Sequence, residues 1–378
     1  MNICIFCHDA YMSGANKSLF DWISCDKENC FIIVLPHANR NQDFLKLNNV
    51  KIVNGNYFCL LRELAPKPYI YYLKKYIKLS YMTVLQKAVL SRLKRIILNR
   101  NIDVIISNSF SVLFGAIVAK DLDIPHFWHI REFMELDHQI THKNPQLVKT
   151  LAEYSNAIFI SDVIEKYYLK RYEFKNETVI YNQIHIDVFF DKKKCLFKDG
   201  KIKIIMSGTL QKNKGQKEAI EAVEKLAAKG FQVRLDIYGD GPQRSYLDSI
   251  IKSSEYSEFI KIKGHVNNLD EIRNKYDIAL VCSSNEALGR VTIESMGSGC
   301  VTIGADAGCT SKIIQDGVNG FLYQLHNVDD LANKIIYVYS HKDEMMRIRE
   351  NARRYCEVNF SKPIYGKIIS YVNSCTRL

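Results

Sequence analysis

Glu286 and Glu294 lie eight positions apart in the segment Asn285-Glu286-Ala287-Leu288-Gly289-Arg290-Val291-Thr292-Ile293-Glu294. An apolar run over 278–282 reads as a strand leading into the loop that holds Glu286. A helix is expected to begin near Arg290. Gly289 lets the backbone approach a ligand closely, and the free N–H groups of a helix start suit a diphosphate. Helical side chains lean toward the N-terminus, so the Glu294 carboxylate points back at the same ligand. A carboxylate is a strong acceptor for vicinal hydroxyls. The pattern therefore fits a ligand with phosphates between two polyhydroxylated groups, one carboxylate for a ribose and the other for a hexose. On spacing alone, Glu286 as a loop surface residue and Glu294 as a helix-dipole partner fit equally well.

Further loops carry compatible chemistry. Ser207-Gly208-Thr209-Leu210-Gln211-Lys212-Asn213-Lys214-Gly215 follows a predicted strand and opens a helix, offering glycines, a helix start and lysines. A cation there neutralises a departing diphosphate, although such a charge run also suits a solvated turn. Tyr238-Gly239-Asp240-Gly241-Pro242 is a turn with proline near a helix start, and turn chemistry alone accounts for Asp240 and Pro242. Ala10-Tyr11-Met12-Ser13-Gly14-Ala15-Asn16 joins the first strand to the first helix without G-x-G-x-x-G, which argues against a dinucleotide cofactor. In His126-Phe127-Trp128-His129-Ile130-Arg131-Glu132, His129 falls at a strand's carboxyl end, whereas His126 reads as structural.

Two metal-like patterns read as structure. Asp121-Leu122-Asp123 spells D-x-D at a helix end before a strand, as solvated punctuation. Cys4 and Cys7 spell C-x-x-C within a predicted strand, where residues three apart face opposite sides. No metal site is expected.

The elements that position these loops alternate. Strands are predicted at 2–7, 30–35, 104–107, 125–129, 157–160 and 178–181, and again at 202–207, 232–238, 259–262, 278–282 and 301–304. Helices are predicted between them, at 15–23, 111–120, 216–229, 243–253 and 291–297 among others. This is the habit of βαβ units and parallel sheets. The expectation is an α/β protein of two Rossmann-like domains facing a central cleft, joined through the polar, lysine-rich stretch 187–201. The expected bounds are 1–190 for the first domain and 191–360 for the second, with a last helix within 361–378 packing back on the first. Ligands of open parallel sheets bind beyond the carboxyl ends of the strands, where the loops above lie.

Composition narrows the class. The 378 residues are 47% apolar and 25% charged, which suits globular domains. Eleven scattered cysteines suit a reducing compartment better than a disulfide framework. The start of the chain reads as a buried strand and not as a signal peptide, and no apolar stretch approaches the length of a spanning helix. The formal net charge of +11 implies an acidic partner. Residues 67–100 hold nine basic residues (Lys67, Lys74, Lys75, Lys78, Lys87, Arg92, Lys94, Arg95 and Arg100) and no acidic one. Ile70, Leu73, Ile77, Tyr81, Val84 and Ala88 recur there at helical spacing, with Tyr69, Tyr71, Tyr72 and Tyr76 among them. A basic amphipathic helix resting on anionic lipid is the expectation; an apolar stripe packed on the first sheet under solvated lysines is the alternative. The expected location is cytoplasmic, peripheral at the inner membrane face.

At these residues the chain resembles glycosyltransferase family 4, retaining enzymes of the GT-B fold, with the flavour of the bacterial capsular or surface-polysaccharide branch. The E-x7-E element within EALGRVTIESMGSG is the strongest match, beside Lys214-Gly215, the GDGP turn, Asp316–Gly320 and Ile180-Tyr181-Asn182-Gln183-Ile184. In the first domain the match rests on Ser13-Gly14-Ala15 and on PHFWHIREF.

The resemblance implies a hexosyltransferase that works without metal or cofactor on a UDP- or GDP-linked sugar. The acceptor would be a glycan or lipid-linked molecule in surface polysaccharide synthesis. Glu286 would bind donor-sugar hydroxyls and Glu294 the donor ribose. Lys214 would stabilise the leaving diphosphate with the Leu288, Gly289, Arg290 and Val291 backbone. Gly14, Gly208, Thr209 and Gly239 would border the donor, His129 the sugar, and His265-Val266 the base. The family often has arginine where Thr209 stands, which removes one phosphate-binding cation; Arg290 or Lys212 is a candidate replacement. No side-chain nucleophile is evident, so a front-face attack is favoured. A nucleotide-sugar epimerase of similar fold is the rival enzyme. A basic nucleic-acid-binding protein is the non-enzymatic rival, but no helix-turn-helix, RRM or zinc-finger pattern supports it, and no nucleic acid partner is expected.

Overall fold

The computed structural model describes residues 1–11, 13–37, 43–59, 61–64, 86–184, 186, 190, 191, 194–266 and 268–376. They form two compact units, Met1–Gln183 with Pro363–Leu378, and Ile184–Lys362.

The first unit contains β1 (Asn2–Phe6), β2 (Cys30–Leu35), β3 (Val50–Asn54), β4 (Leu61–Glu63), β5 (Val104–Ser107), β6 (His126–Ile130), β7 (Ile140–His142), β8 (Asn156–Phe159) and β9 (Glu177–Val179). Seven of these form one sheet in the order β3-β2-β1-β5-β6-β8-β9, and β4 pairs with β7. Every pairing in the seven-stranded sheet is parallel. Such a sheet is covered on both faces, so its central strands are near-continuous apolar runs, as ICIF and FIIVL show. On one face, Ile3, Ile5, Trp22 and Phe31 pack with Ile364, Ile368 and Val372 of the last helix, Tyr365–Thr376. On the other, Cys4, Phe6, Leu93, Ile97 and Val118 pack together.

The second unit repeats the plan with β10 (Ile202–Ser207), β11 (Val233–Tyr238), β12 (Ile260–Gly264), β13 (Ile278–Val281), β14 (Val301–Ala305) and β15 (Phe321–Tyr323). Their order is β12-β11-β10-β13-β14-β15, all parallel. The order reverses at β10, and its neighbours there are β11 and β13. That is the switch point at which open α/β sheets bind ligands. Both units are Rossmann-like, and the pair of sheets is the GT-B type of α/β fold.

Three differences from the sequence expectation have physical reasons. β3 and β15 were not foreseen, because VKIVN is half polar and FLY is three residues long at a sheet edge. The first strand ends at Phe6, so Cys7 lies just past it; burial pushes both Cys4 and Cys7 thiols far up, and all eleven cysteines are free. The second unit begins at Ile184, within the stretch given to the first domain by the sequence. There the Ile184 N–H donates to the Phe360 carbonyl (2.8 Å), and Arg353 bonds the Ile186 carbonyl.

The basic block 67–100 is described only from residue 86. Lys67, Lys74, Lys75 and Lys78, and the apolar positions from Ile70 to Val84, lie outside the described residues. Residues 86–98 are helical, but their buried side chains are Leu93 and Ile97, while Ala88 is exposed. Of the predicted stripe only Ala88 is among the described residues; Leu93 and Ile97, beyond it, join the first unit's core. Arg92 donates to the carbonyls of Asn54 (2.6 Å) and Gly55 (2.9 Å), and Lys94 pairs with Asp121. No helix of the described residues is long and apolar enough to cross a membrane.

Candidate active site

In the second unit the chemistry gathers beyond the carboxyl ends of β10 and β13. The loop after β10 closes with a 3-10 turn, Lys212–Lys214, before the helix Gln216–Ala228. At Gly215 (φ +70°) an added Cβ would fall 2.3 Å from the Cys282 carbonyl oxygen. Only a residue without Cβ lets this loop press so closely on the chain leaving β13. The Ser284 N–H seals the contact by donating to the Asn213 carbonyl at 3.0 Å. This close approach brings Lys214 to Glu286, Nζ to Oε1 at 2.7 Å, with both side chains mostly buried. From the other side the Cys309 N–H donates to the Glu286 carbonyl at 2.8 Å, so Glu286 is held by the loops after β10 and β14.

The helix Arg290–Gly297 starts four residues after Glu286, with Gly289 as N-cap. Its first N–H groups have no acceptor within the helix, the arrangement that suits an anion. Leu288 is buried beside it, and Arg290 and Val291 are half-buried. One turn in, Glu294 is gripped twice: Arg273 NH2 meets Oε2 at 2.7 Å, and Arg290 NH2 meets Oε1 at 3.4 Å.

Gly208 and Gly239 end neighbouring strands. The Gly208 N–H donates to the Tyr238 carbonyl (2.9 Å), and an added Cβ at Gly239 (φ +140°) would stand 1.9 Å from the Gly208 oxygen. Gly239 therefore has a packing reason to be glycine, independent of any ligand. Thr209 and Lys212 are exposed. Val266 packs against the cluster of Ile205, Tyr238 and Tyr276, and His265 is exposed beside it.

In the first unit, Ser13 caps the helix Gly14–Cys25, and a Cβ at Gly14 would meet nothing within 4 Å. His126 and His129 are both buried in β6 but differ in kind. His126 is bracketed by Ser107 (2.9 Å) and Ser155 (2.7 Å), and burial draws its pKa down to about 3. His129 touches Arg131 through Nδ1 at 3.1 Å, and its Nε2 has no partner among the described residues. Burial, with the Arg131 charge, holds His129 well below the ordinary histidine value.

Lys214, Glu286, the start of the Arg290 helix and Glu294 thus lie in the segments that follow the central strands β10 and β13. His129 and Gly14 belong to the first unit. Arg273 and Arg131 escaped sequence reasoning. Arg273 ends a five-residue helix, Leu269–Arg273, whose sequence offers no cue beyond a basic last turn. Arg131 stands two residues past His129, just beyond a strand's carboxyl end, and that position was the available signal. Of the two candidate replacements for the arginine absent at Thr209, Lys212 is exposed and Arg290 is engaged with Glu294. Among the described residues, no cluster of three or more His, Cys, Asp or Glu is placed to hold a metal ion.

Residues 187–355, which lie within the second unit, match the family model described as glycosyl transferases group 1. The chain is 31% identical over 140 residues to the UDP-N-acetylglucosamine–peptide N-acetylglucosaminyltransferase GtfA subunit of Streptococcus pneumoniae serotype 4, covering 37% of this chain and 27% of that one. It is 24% identical over 193 residues to the poly(glycerol-phosphate) alpha-glucosyltransferase of Bacillus subtilis, covering 50% of this chain and 28% of that one. The chain thus spans little more than a quarter of these two curated relatives. Among solved structures, Anabaena Alr3699/HepE in complex with UDP is similar over 99% of this chain and 100% of that one, with a TM-score of 0.79 and 18% identity.

Proposed function

We propose that this chain is a retaining, metal-independent glycosyltransferase of family 4. It moves a sugar from a nucleotide-diphosphate donor to a glycan or lipid-linked acceptor in surface polysaccharide synthesis. The observation that carries the reading is the Lys214–Glu286 pair beside the start of the Arg290 helix, with Glu294 one turn inside it. An ammonium has three donors, so pairing one with Glu286 leaves others for diphosphate oxygens. A carboxylate has two oxygens, so Glu286 can hold a sugar hydroxyl while it keeps Lys214 in place. Glu294 is assigned to the ribose.

In the proposed step the bond between the anomeric carbon and the diphosphate oxygen breaks, and the acceptor oxygen bonds to that carbon on the same face. The acceptor proton passes to the leaving phosphate. Lys214 and the helix N–H groups meet the charge that develops on the diphosphate. The first unit is assigned the acceptor; Gly14 is assigned to the donor phosphates and His129 to the sugar. Cytoplasmic location and contact with anionic lipid through 67–100 belong to the same proposal; the basic residues there support the lipid contact.

The names of the relatives make UDP-linked sugars the first donors to test. Binding of a UDP- and GDP-sugar panel by calorimetry, compared between the wild type and Glu294→Ala, tests the donor assignment. Binding of one nucleotide class, weakened on the order of tenfold or more by Glu294→Ala, is expected. Equal binding by both proteins removes the ribose role.

A further inference from the structure

Arg131 is nearly excluded from solvent, and its guanidinium can only donate hydrogen bonds. Nε donates to Asn108 Oδ1 (2.8 Å), NH1 to Asn182 Oδ1 (3.1 Å), and NH2 faces His129 Nδ1 (3.1 Å). Since NH2 supplies the proton in that last contact, Nδ1 must accept it. The imidazole proton therefore resides on Nε2. An imidazolium would put a second N–H, and a second positive charge, against the guanidinium.

The cradle around Arg131 is itself fixed. Asn108 turns Nδ2 toward Asn16 Oδ1 at 3.4 Å, while Asn16 Nδ2 donates to Asp9 Oδ1 and the Tyr11 carbonyl, both at 2.6 Å. This chain of amides links the carboxyl ends of β1, β5 and β6 and leaves the Asn108 oxygen to Arg131. His129 is wholly buried, yet its Nε2 has no partner among the described residues. A buried donor without a partner is uncommon in a folded protein and points to a ligand acceptor.

We infer that Arg131 is a positioning residue that locks His129 as the neutral Nε2–H tautomer, making it a hydrogen-bond donor to a substrate oxygen such as a sugar hydroxyl. The substrate part rests on the transferase reading; the tautomer does not. In this role His129 neither takes nor gives a proton during the reaction. It contributes a fixed dipole, and the charged group acting on it is Arg131. Such locking of one ring nitrogen by a bond to the other is how histidines are commonly set for a single task.

The tautomer is read directly by long-range proton–nitrogen correlation spectra of the full chain labelled with 15N-histidine, with His129 assigned by loss of its signals in His129→Gln. The wild type should show Nε2 protonated and Nδ1 bare from pH 5.5 to 8.5. Arg131→Lys, which still donates, should keep that pattern. Arg131→Met should give mixed tautomers, and should lower turnover on the order of tenfold. A wild-type ring protonated at Nδ1, or one that titrates near neutrality, overturns the proposal even if Arg131→Met does not fold. Sugar transfer is assayed separately: a locked tautomer in a protein that transfers no sugar would leave the Arg131 role standing and remove the substrate role.

Discussion

Arg273 and Glu294 are joined in the second unit by a 2.7 Å ion pair, NH2 to Oε2, in which the guanidinium is almost wholly buried and the carboxylate is 20% exposed. The same guanidinium reaches Asp270 through NH1 (2.7 Å) and Ser207 Oγ through NH2 (3.4 Å). Ser207 ends β10, immediately before Gly208-Thr209. A buried arginine from another element thus occupies the end of that strand and fixes a carboxylate one turn inside the Arg290 helix. If Glu294 holds the ribose, Arg273 acts through it.

Arg273→Met should therefore weaken UDP binding on the order of tenfold or more, the loss typical of a charged hydrogen bond. The penalty should shrink for a nucleotide lacking both ribose hydroxyls, because Glu294 then has nothing to hold. Calorimetry with UDP and its dideoxy form gives the comparison. An equal penalty for both nucleotides would show that Arg273 supports the fold and not the ribose contact.

Lys214→Ala should lower turnover on the order of a hundredfold or more, since its charge matters most while the diphosphate departs. Because Lys214 and Glu286 are 2.7 Å apart, their effects should not add. Steady-state kinetics of Lys214→Ala, Glu286→Ala and the double variant supply the cycle. A change confined to KM would make Lys214 a ground-state contact.

Much of this arrangement was legible in the sequence. The βα loops of the second unit announced themselves through apolar runs that end in glycines, lysines and acids, and Lys214, Glu286 and Glu294 assemble there. What stayed hidden are the partners supplied by other elements. Nothing in Leu269–Arg273 says that its last residue folds inward to Glu294, because that depends on how β12 and β13 are spaced in the sheet. Gly239 read as a ligand-bordering glycine, whereas its contact with the Gly208 carbonyl arises only when β10 and β11 pair in register. Ala88, predicted on the apolar stripe, is exposed for a similar reason: periodicity marks an apolar position, but the packing partner decides whether it is buried.

Gly239→Ala should lower stability, since its φ of +140° and the 1.9 Å approach to the Gly208 oxygen leave no space for a methyl group. A loss on the order of 1–3 kcal/mol is expected for a side chain forced into such backbone geometry. Denaturant unfolding measures it, and an unchanged midpoint would mean that the two loops separate freely.

Replacing Lys74, Lys75 and Lys78 with glutamate should abolish binding to anionic vesicles while sparing transfer to a short soluble acceptor. Vesicle co-sedimentation at low salt tests this. If the unmutated protein ignores such vesicles, the lipid contact is wrong and the basic block serves the first unit alone, as Arg92 and Lys94 do.

The central claim is tested most directly by acceptor-dependent turnover. The protein is incubated with its bound nucleotide sugar and EDTA, with and without acceptor glycans, and free nucleotide diphosphate is measured beside the sugar product. Release of nucleotide that requires acceptor, persists in EDTA, disappears in Glu286→Ala and yields a glycoside with the donor's anomeric configuration is the predicted result. Nucleotide released with a free epimerised sugar and no need of acceptor, or activity lost in EDTA and restored by manganese, would contradict the account.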